Sequence, residues 1–171
     1  QIEKLVNEFS DFARMPKPIF RQNNLVELIN DNINLLKELD NSINKNFIKN
    51  KNEIILDSDK EQISRIFLNL IKNSIESINQ KSQNNNNFNK KITIELMEDN
   101  SQILAVFKDN GIGFDKLQKN IKDILNPYFT TKKNGTGLGL SIVNKIINDH
   151  NGKIEFIPIE DGAEIKLKFI K

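Results

Sequence analysis

Asn126-Pro127-Tyr128-Phe129-Thr130-Thr131-Lys132-Lys133-Asn134-Gly135-Thr136-Gly137-Leu138-Gly139-Leu140 is the stretch on which the reading of this chain turns. Three alternate glycines run directly into an apolar-periodic segment that predicts a helix over 138–149, stopped by Asn151 and Gly152. Such a junction gathers free backbone N–H groups and the positive end of a helix at one spot, which is the chemistry of a phosphate site. Thr131, Lys132 and Thr136 add hydroxyl donors and a mobile positive charge suited to a polyphosphate. No G-x-x-x-x-G-K-[ST] loop occurs, and the spacing is G-x-G-x-G rather than the dinucleotide-binding G-x-G-x-x-G. The alternative is a purely structural glycine hinge.

Working upstream, Asp109-Asn110-Gly111-Ile112-Gly113 follows an apolar strand. Asn-Gly is a turn signal, and a plain turn is one reading of it. The other gives each residue a task. The Asp109 carboxylate is an acceptor able to take a hydrogen bond from an exocyclic amine such as that of adenine. Gly111 and Gly113 let backbone approach a flat ring closely.

Further upstream lies the best-marked helix. Ser58 and Glu61 have capping-box spacing, and apolar residues recur through Ile63, Ile66, Phe67, Leu70, Ile71 and Ile78. Asn69 and Asn73 stand one turn apart at the border of that apolar arc, with Gln62 and Glu76 on the same border. Amide oxygens are hard ligands of the kind Mg2+ accepts. Asn is abundant here, at 27 residues, as are Ile at 27 and Lys at 22. These residues have A/T-rich codons, so the Asn pair taken alone reads first as two residues on a wet face.

The rest sets the architecture. Asn24 and Glu27 mark a helix start, followed by Leu25, Leu28, Ile29, Ile33 and Leu36. Short strands are expected at 42–48 and 53–56, a solvated Asn-rich loop at 79–90, a strand pair at 91–97 and 103–107, and closing strands at 153–158 and 163–170 with a turn at 160–162. Mixed helices and antiparallel strands predict an α+β two-layer sandwich. Near the start, Ile2, Leu5, Phe9 and Phe12 form a heptad seam ended by Pro16 and Pro18. It reads either as an amphipathic surface helix or as the end of a dimer-forming hairpin.

Composition excludes several classes. There is no Cys and one His, His150, so disulfide frameworks, thiol nucleophiles and His-cluster metal sites are out. The net charge is +2, which gives no electrostatic case for nucleic acid or anionic membrane as the main partner. No apolar run approaches the roughly 18 residues of a membrane-spanning helix. Beginning at Gln1 rather than Met, the 171 residues read as a piece of something longer.

Taken together, Asn69-x-x-x-Asn73, Asp109-x-Gly111-x-Gly113, Phe129 and Gly135-Thr136-Gly137-Leu138-Gly139 resemble the N, G1, F and G2 boxes of sensor histidine kinases, in order and at the usual spacing. Val6–Pro18 and Pro127-Tyr128-Phe129-Thr130-Thr131-Lys132 resemble the NtrY-type nitrogen-regulation branch of that family. The resemblance implies a sandwich of a mixed sheet and three helices, shared with gyrase, Hsp90 and MutL-type ATPases, over residues 19–171. Residues 1–18 are then the end of a second dimerisation helix and its linker. It further implies ATP and Mg2+ as ligands. Asn73 would hold the ion with Asn69 assisting, Asp109 would meet adenine, and Gly111 and Gly113 would floor the ring. Residues 116–134 would form a lid anchored by Phe129, with Phe129 and Thr130 among the residues that bind the nucleotide. Thr131 and Lys132 would meet the outer phosphates, and Gly135, Thr136, Gly137, Leu138, Gly139 and Leu140 would cradle them.

The same resemblance implies partners: a dimerisation and phosphoacceptor domain of the same protein, a response regulator, and a second copy in the full-length homodimer. It also implies a cytoplasmic domain of a membrane-anchored sensor. Family members that hydrolyse ATP carry Glu where this chain has Asn69, and Asn cannot serve as a general base. That favours phosphoryl transfer, with a non-catalytic nucleotide-binding module and a general ATPase as the alternatives. His150, before Asn151-Gly152 at a helix end, matches no phosphoacceptor pattern and is expected to be structural or solvated.

Overall fold

A computed structural model describes residues 2–83, 85, 87–114 and 137–171. Its elements run α1 (Ile2–Ala13), β1 (Arg21–Asn24), α2 (Leu25–Leu39), β2 (Asn44–Lys49), β3 (Ile55–Ser58) and α3 (Lys60–Ser82), then β4 (Lys91–Glu98), β5 (Gln102–Asp109), α4 (Gly139–Asp149), β6 (Lys153–Pro158) and β7 (Ala163–Ile170). Five strands form one mixed sheet in the order β2-β4-β5-β7-β6. Among the described residues only the β2–β4 pair is parallel. The α+β sandwich expected from the sequence is the fold observed.

Alternation builds the sheet. Ile92, Ile94 and Leu96 of β4, Ile103, Ala105 and Phe107 of β5, and Ile165, Leu167 and Phe169 of β7 share one buried face. The other face carries charge, with Lys108 bridging Glu95 and Glu164 across three strands. Onto the apolar face pack α2, α3 and α4, with α3 between the other two. Ile63, Ile66, Phe67, Leu70, Ile71 and Ile78 of α3 are each at most 1% exposed, so the apolar arc read from the sequence is the one that is buried. Phe67 meets Phe107 of the sheet at 5.6 Å between ring centroids.

Two local expectations are corrected, and one strand was not expected. The N-cap of α3 is Asp59, not Ser58: its carboxylate accepts from the N–H groups of Glu61 and Gln62 at 3.1 Å each. Ser58 instead ends β3, buried, with its hydroxyl donated to the Leu56 carbonyl. The helix also continues to Ser82, so the loop expected from residue 79 starts four residues later. Lys81 is anchored there by tertiary bonds that periodicity cannot register. Finally, β1 pairs antiparallel with β3, although Arg21-Gln22-Asn23-Asn24 carries no apolar alternation. The Asn23 side chain helps hold this ribbon by donating to the Ser58 carbonyl at 2.7 Å.

The segment after α1 is bound at the start of α3. Gln62, buried, donates its amide to the Pro16 carbonyl at 2.9 Å, and the Ile19 N–H donates to Asp59 Oδ2 at 2.8 Å. Phe12 and Met15 pack against the main core, while Ile2, Val6 and Phe9 are exposed.

Candidate functional site

Strand β5 delivers Asp109 to the end of the sheet, where both carboxylate oxygens are held. Oδ1 accepts from the Gly111 N–H at 2.9 Å, and Oδ2 accepts from the Ser74 hydroxyl of α3 at 2.8 Å. Burial pushes this carboxyl above its ordinary value, against the opposing pull of the Gly111 and Ser74 hydrogen bonds and the positive charge of Lys81. The result is an acceptor fixed in direction and partly desolvated, with lone pairs left over for an incoming N–H donor.

The loop after Asp109 lies against α3 and against the turn between β6 and β7. A Cβ at Gly111 would sit 2.2 Å from Ser77 Oγ, and one at Gly113 would sit 2.4 Å from the Gly162 carbonyl oxygen. The space a side chain needs is thus already filled by protein. Both glycines serve first to seat the loop, a tighter reason than the ring approach expected from the sequence. Ser77 completes the seat by accepting from the Ile112 N–H at 3.0 Å.

Two turns N-terminal on α3, the Asn pair meets the second half of the site. Asn69 and Asn73 are both half-buried. Asn69 donates its Nδ2 to the Arg65 carbonyl at 2.9 Å, and its Oδ1 faces Gly139, where a Cβ would lie 3.2 Å away. Gly139 opens α4. Its N-cap is Leu138, which supplies no side-chain cap, and the first helical bond runs from the Ile142 N–H to the Leu138 carbonyl at 2.9 Å. Leu138 is fully buried and Leu140 packs against the core. These two pin the helix start while its first N–H groups receive no cap from the side chain of Leu138, the arrangement that suits an anion. Gly137, at φ +70°, makes the turn into it.

Helix α3 therefore joins both halves. Asn69 stands beside Gly139 and Ser74 grips Asp109, five residues or about 7.5 Å apart along the helix axis. Asn69, Asn73, Asp109, Gly111, Gly113, Gly137, Leu138, Gly139 and Leu140 fall on this one helix and the two segments against it. Phe129, Thr130, Thr131, Lys132, Gly135 and Thr136 lie outside the described residues, as does the lid expected at 116–134. Gln62 turns to the Pro16 carbonyl instead of the site, and Glu76 is exposed.

Sequence reading missed Ser74, Ser77 and Lys81. Their spacing of i, i+3 and i+7 was the available signal, a polar stripe through an otherwise apolar helix. His150 is structural, as expected. Buried at the end of α4, its Nε2 accepts from the Asp59 backbone N–H at 3.0 Å, which fixes the proton on Nδ1, 2.8 Å from the Ile146 carbonyl. The Phe20 ring lies against it at 5.0 Å.

Comparison with known proteins agrees with this fold. Residues 58–170 match the family of histidine kinase-, DNA gyrase B-, and HSP90-like ATPases. An NtrY-like sensor histidine kinase of Rickettsia conorii is 33% identical over 169 residues, covering 98% of this chain and 27% of the relative. The nitrogen regulation protein NtrY of Azorhizobium caulinodans is 31% identical, covering 97% of this chain and 21% of the relative. The chain thus spans about a quarter of the length of such relatives. Among solved structures, the catalytic domain of histidine kinase ThkA superposes with a TM-score of 0.77 at 30% identity, covering 90% of this chain and 96% of that one. The complex of ThkA with the response regulator protein TrrA gives 0.79 at 26% identity, covering 99% of this chain and 47% of that one.

Proposed function

The chain belongs to the histidine kinase-, DNA gyrase B- and HSP90-like ATPase family, and from that footing we propose that it is the catalytic domain of a two-component sensor histidine kinase. In this reading it binds ATP·Mg2+ and passes the γ-phosphoryl group to a histidine on the dimerisation domain, for relay to a response regulator. The observation that carries the proposal is the place of α3 between the two halves, holding Asp109 through Ser74 and lying against the start of α4 at Asn69.

Each residue then has a task. Asp109, held at both oxygens, accepts the exocyclic amine of adenine. The first N–H groups of α4, with Thr131, Lys132 and Thr136, bind the phosphates and offset their charge. Asn73 and Asn69 suit Mg2+ by donor type, since amide oxygens are hard ligands. Among the described residues no cluster of three His, Asp or Glu offers a metal site, and Asn73 with Asn69 would be the residues that hold the ion. When bound it neutralises charge on the transferring group. Asn69 has no proton-accepting group to activate water, which favours transfer to an imidazole nitrogen over hydrolysis.

The TrrA complex of ThkA supports a response regulator as partner. The exposed Ile2, Val6 and Phe9 of α1 support helix pairing within a homodimer. Relatives named as NtrY-type sensors support a membrane-anchored full-length protein with this domain in the cytoplasm.

Incubation with γ-labelled ATP and a His-bearing dimerisation domain tests the proposal. Label is expected on the supplied domain and not on this chain alone, and Asn73→Ala is expected to abolish transfer. Stable label on the isolated chain, or full activity in the variant, overturns it.

A further inference from the structure

Lys81 lies on the last turn of α3, one turn beyond Ser77 and two beyond Ser74. Its ammonium donates to the Asn110 carbonyl at 3.0 Å and the Gly111 carbonyl at 3.1 Å, and pairs with Asp161 of the β6–β7 turn. Those three acceptors match its three protons. Phe88 covers it, with the ring centroid 5.2 Å from Nζ.

The two carbonyls belong to consecutive peptide planes, and each plane is also held at its other end. In the first, the Asn110 carbonyl is bound by Lys81 while the Gly111 N–H is bound by Asp109 Oδ1. In the second, the Gly111 carbonyl is bound by Lys81 while the Ile112 N–H is bound by Ser77 Oγ. A peptide unit is rigid, so rotating either plane breaks bonds on both sides. The orientation of Asp109 is therefore tied to Lys81 through one planar unit.

We propose that Lys81 is a positioning residue for recognition of the purine base, setting the direction in which Asp109 presents its carboxylate. The inference rests on the nucleotide-binding reading above and adds a residue outside the sequence motifs that suggested it. The positive charge also opposes the effect of burial on Asp109. Its removal is expected to move protonation of Asp109 to higher pH.

ADP binding to the whole chain, followed by titration calorimetry across a pH series, tests this. Lys81→Met and Lys81→Gln, both compatible with a helix, are expected to weaken ADP binding about tenfold at neutral pH. Loss of binding on acidification should begin at higher pH than in the wild type. Lys81→Arg, which keeps the charge, should restore the wild-type pH profile. Asp161→Asn should bind nearly as the wild type does, because both carbonyl bonds remain.

A neutral variant that melts cooperatively yet keeps wild-type affinity and pH profile overturns the assignment. So does Asp161→Asn losing as much as Lys81→Met, since the turn rather than the carbonyls would then matter. If neither neutral variant melts cooperatively, Lys81 holds the domain and not the site, and the assignment is likewise overturned. Failure of the wild-type chain to bind ADP overturns the nucleotide reading itself.

Discussion

Two aspartates at the two ends of β5 show how position sets the behaviour of one residue type. Asp99, in the turn before the strand, is drawn down to about 2 by the Ser101 N–H and hydroxyl and by Gln102. The stability it confers is present above the ordinary 3.8 and is lost as pH falls toward 2. Asp109 has the opposite sign. Burial raises it above 3.8, so the folded chain holds its proton more firmly than the unfolded chain. This one group then costs stability as pH rises through that window, while the proposed recognition of adenine would need the ionised form present above it. Asp109→Asn is therefore expected to leave the neutral-pH melting temperature unchanged or higher while abolishing ADP binding. Calorimetry of melting and of binding separates the two effects, and unaltered ADP affinity would sink the assignment. Asp109 was legible in sequence from the glycines that follow it. Ser74, which completes its grip, was not, because a lone hydroxyl in an apolar arc carries no motif.

Among the elements, α3 and α4 were the most legible, since their apolar repeats are long and their ends are chemically marked. The stop of α4 bears this out with a change of roles. Asn151, not Gly152, takes the left-handed conformation, at φ +55°. The Asn151 N–H reaches the Asn148 carbonyl at 3.0 Å and the Gly152 N–H reaches the Ile147 carbonyl at 2.9 Å, the paired bonds of a Schellman ending. Gly152 is needed for a different reason, because a Cβ there would lie 2.8 Å from the Lys168 carbonyl oxygen. Asn151→Ala is expected to cost about 1 kcal/mol, because Ala lacks the short polar side chain with which Asn offsets left-handed dihedrals. Chemical denaturation measures it, and a cost near zero would contradict that description of the end. The cap of α3 was misplaced by one residue because Ser58 and Asp59 are both good N-cap types, and only the end of β3 at Ser58 decides between them. Strand β1 was invisible, since nothing in its four polar residues is periodic.

At the scale of the molecule, the site depends on contacts between segments far apart in the chain. Gly162, at φ +114°, presses the β6–β7 turn onto Asp109, and a Cβ there would lie 1.8 Å from the Asp109 carbonyl oxygen. Gly162→Ala is expected to destabilise the fold by about 3 kcal/mol or more through combined strain and overlap, read from denaturant unfolding. A loss under about 1 kcal/mol would mean that the turn yields. A second long-range joint ties the segment after α1 to the helix layer: Pro16 to Gln62, Ile19 to Asp59, and Asp59 in turn to His150. Sequence by itself determined the layers, the family and most of the motif residues in the described part of the site. Periodicity and glycine placement are local consequences of backbone geometry, and they can be read without a partner. Only the tertiary structure decided what holds those residues. It showed Ser74 and Lys81 on Asp109 and its loop, Gly162 against its backbone, and His150 under the cap of α3. Each joins residues dozens of positions apart, where hydrogen-bond direction and close approach leave no periodic trace in the chain.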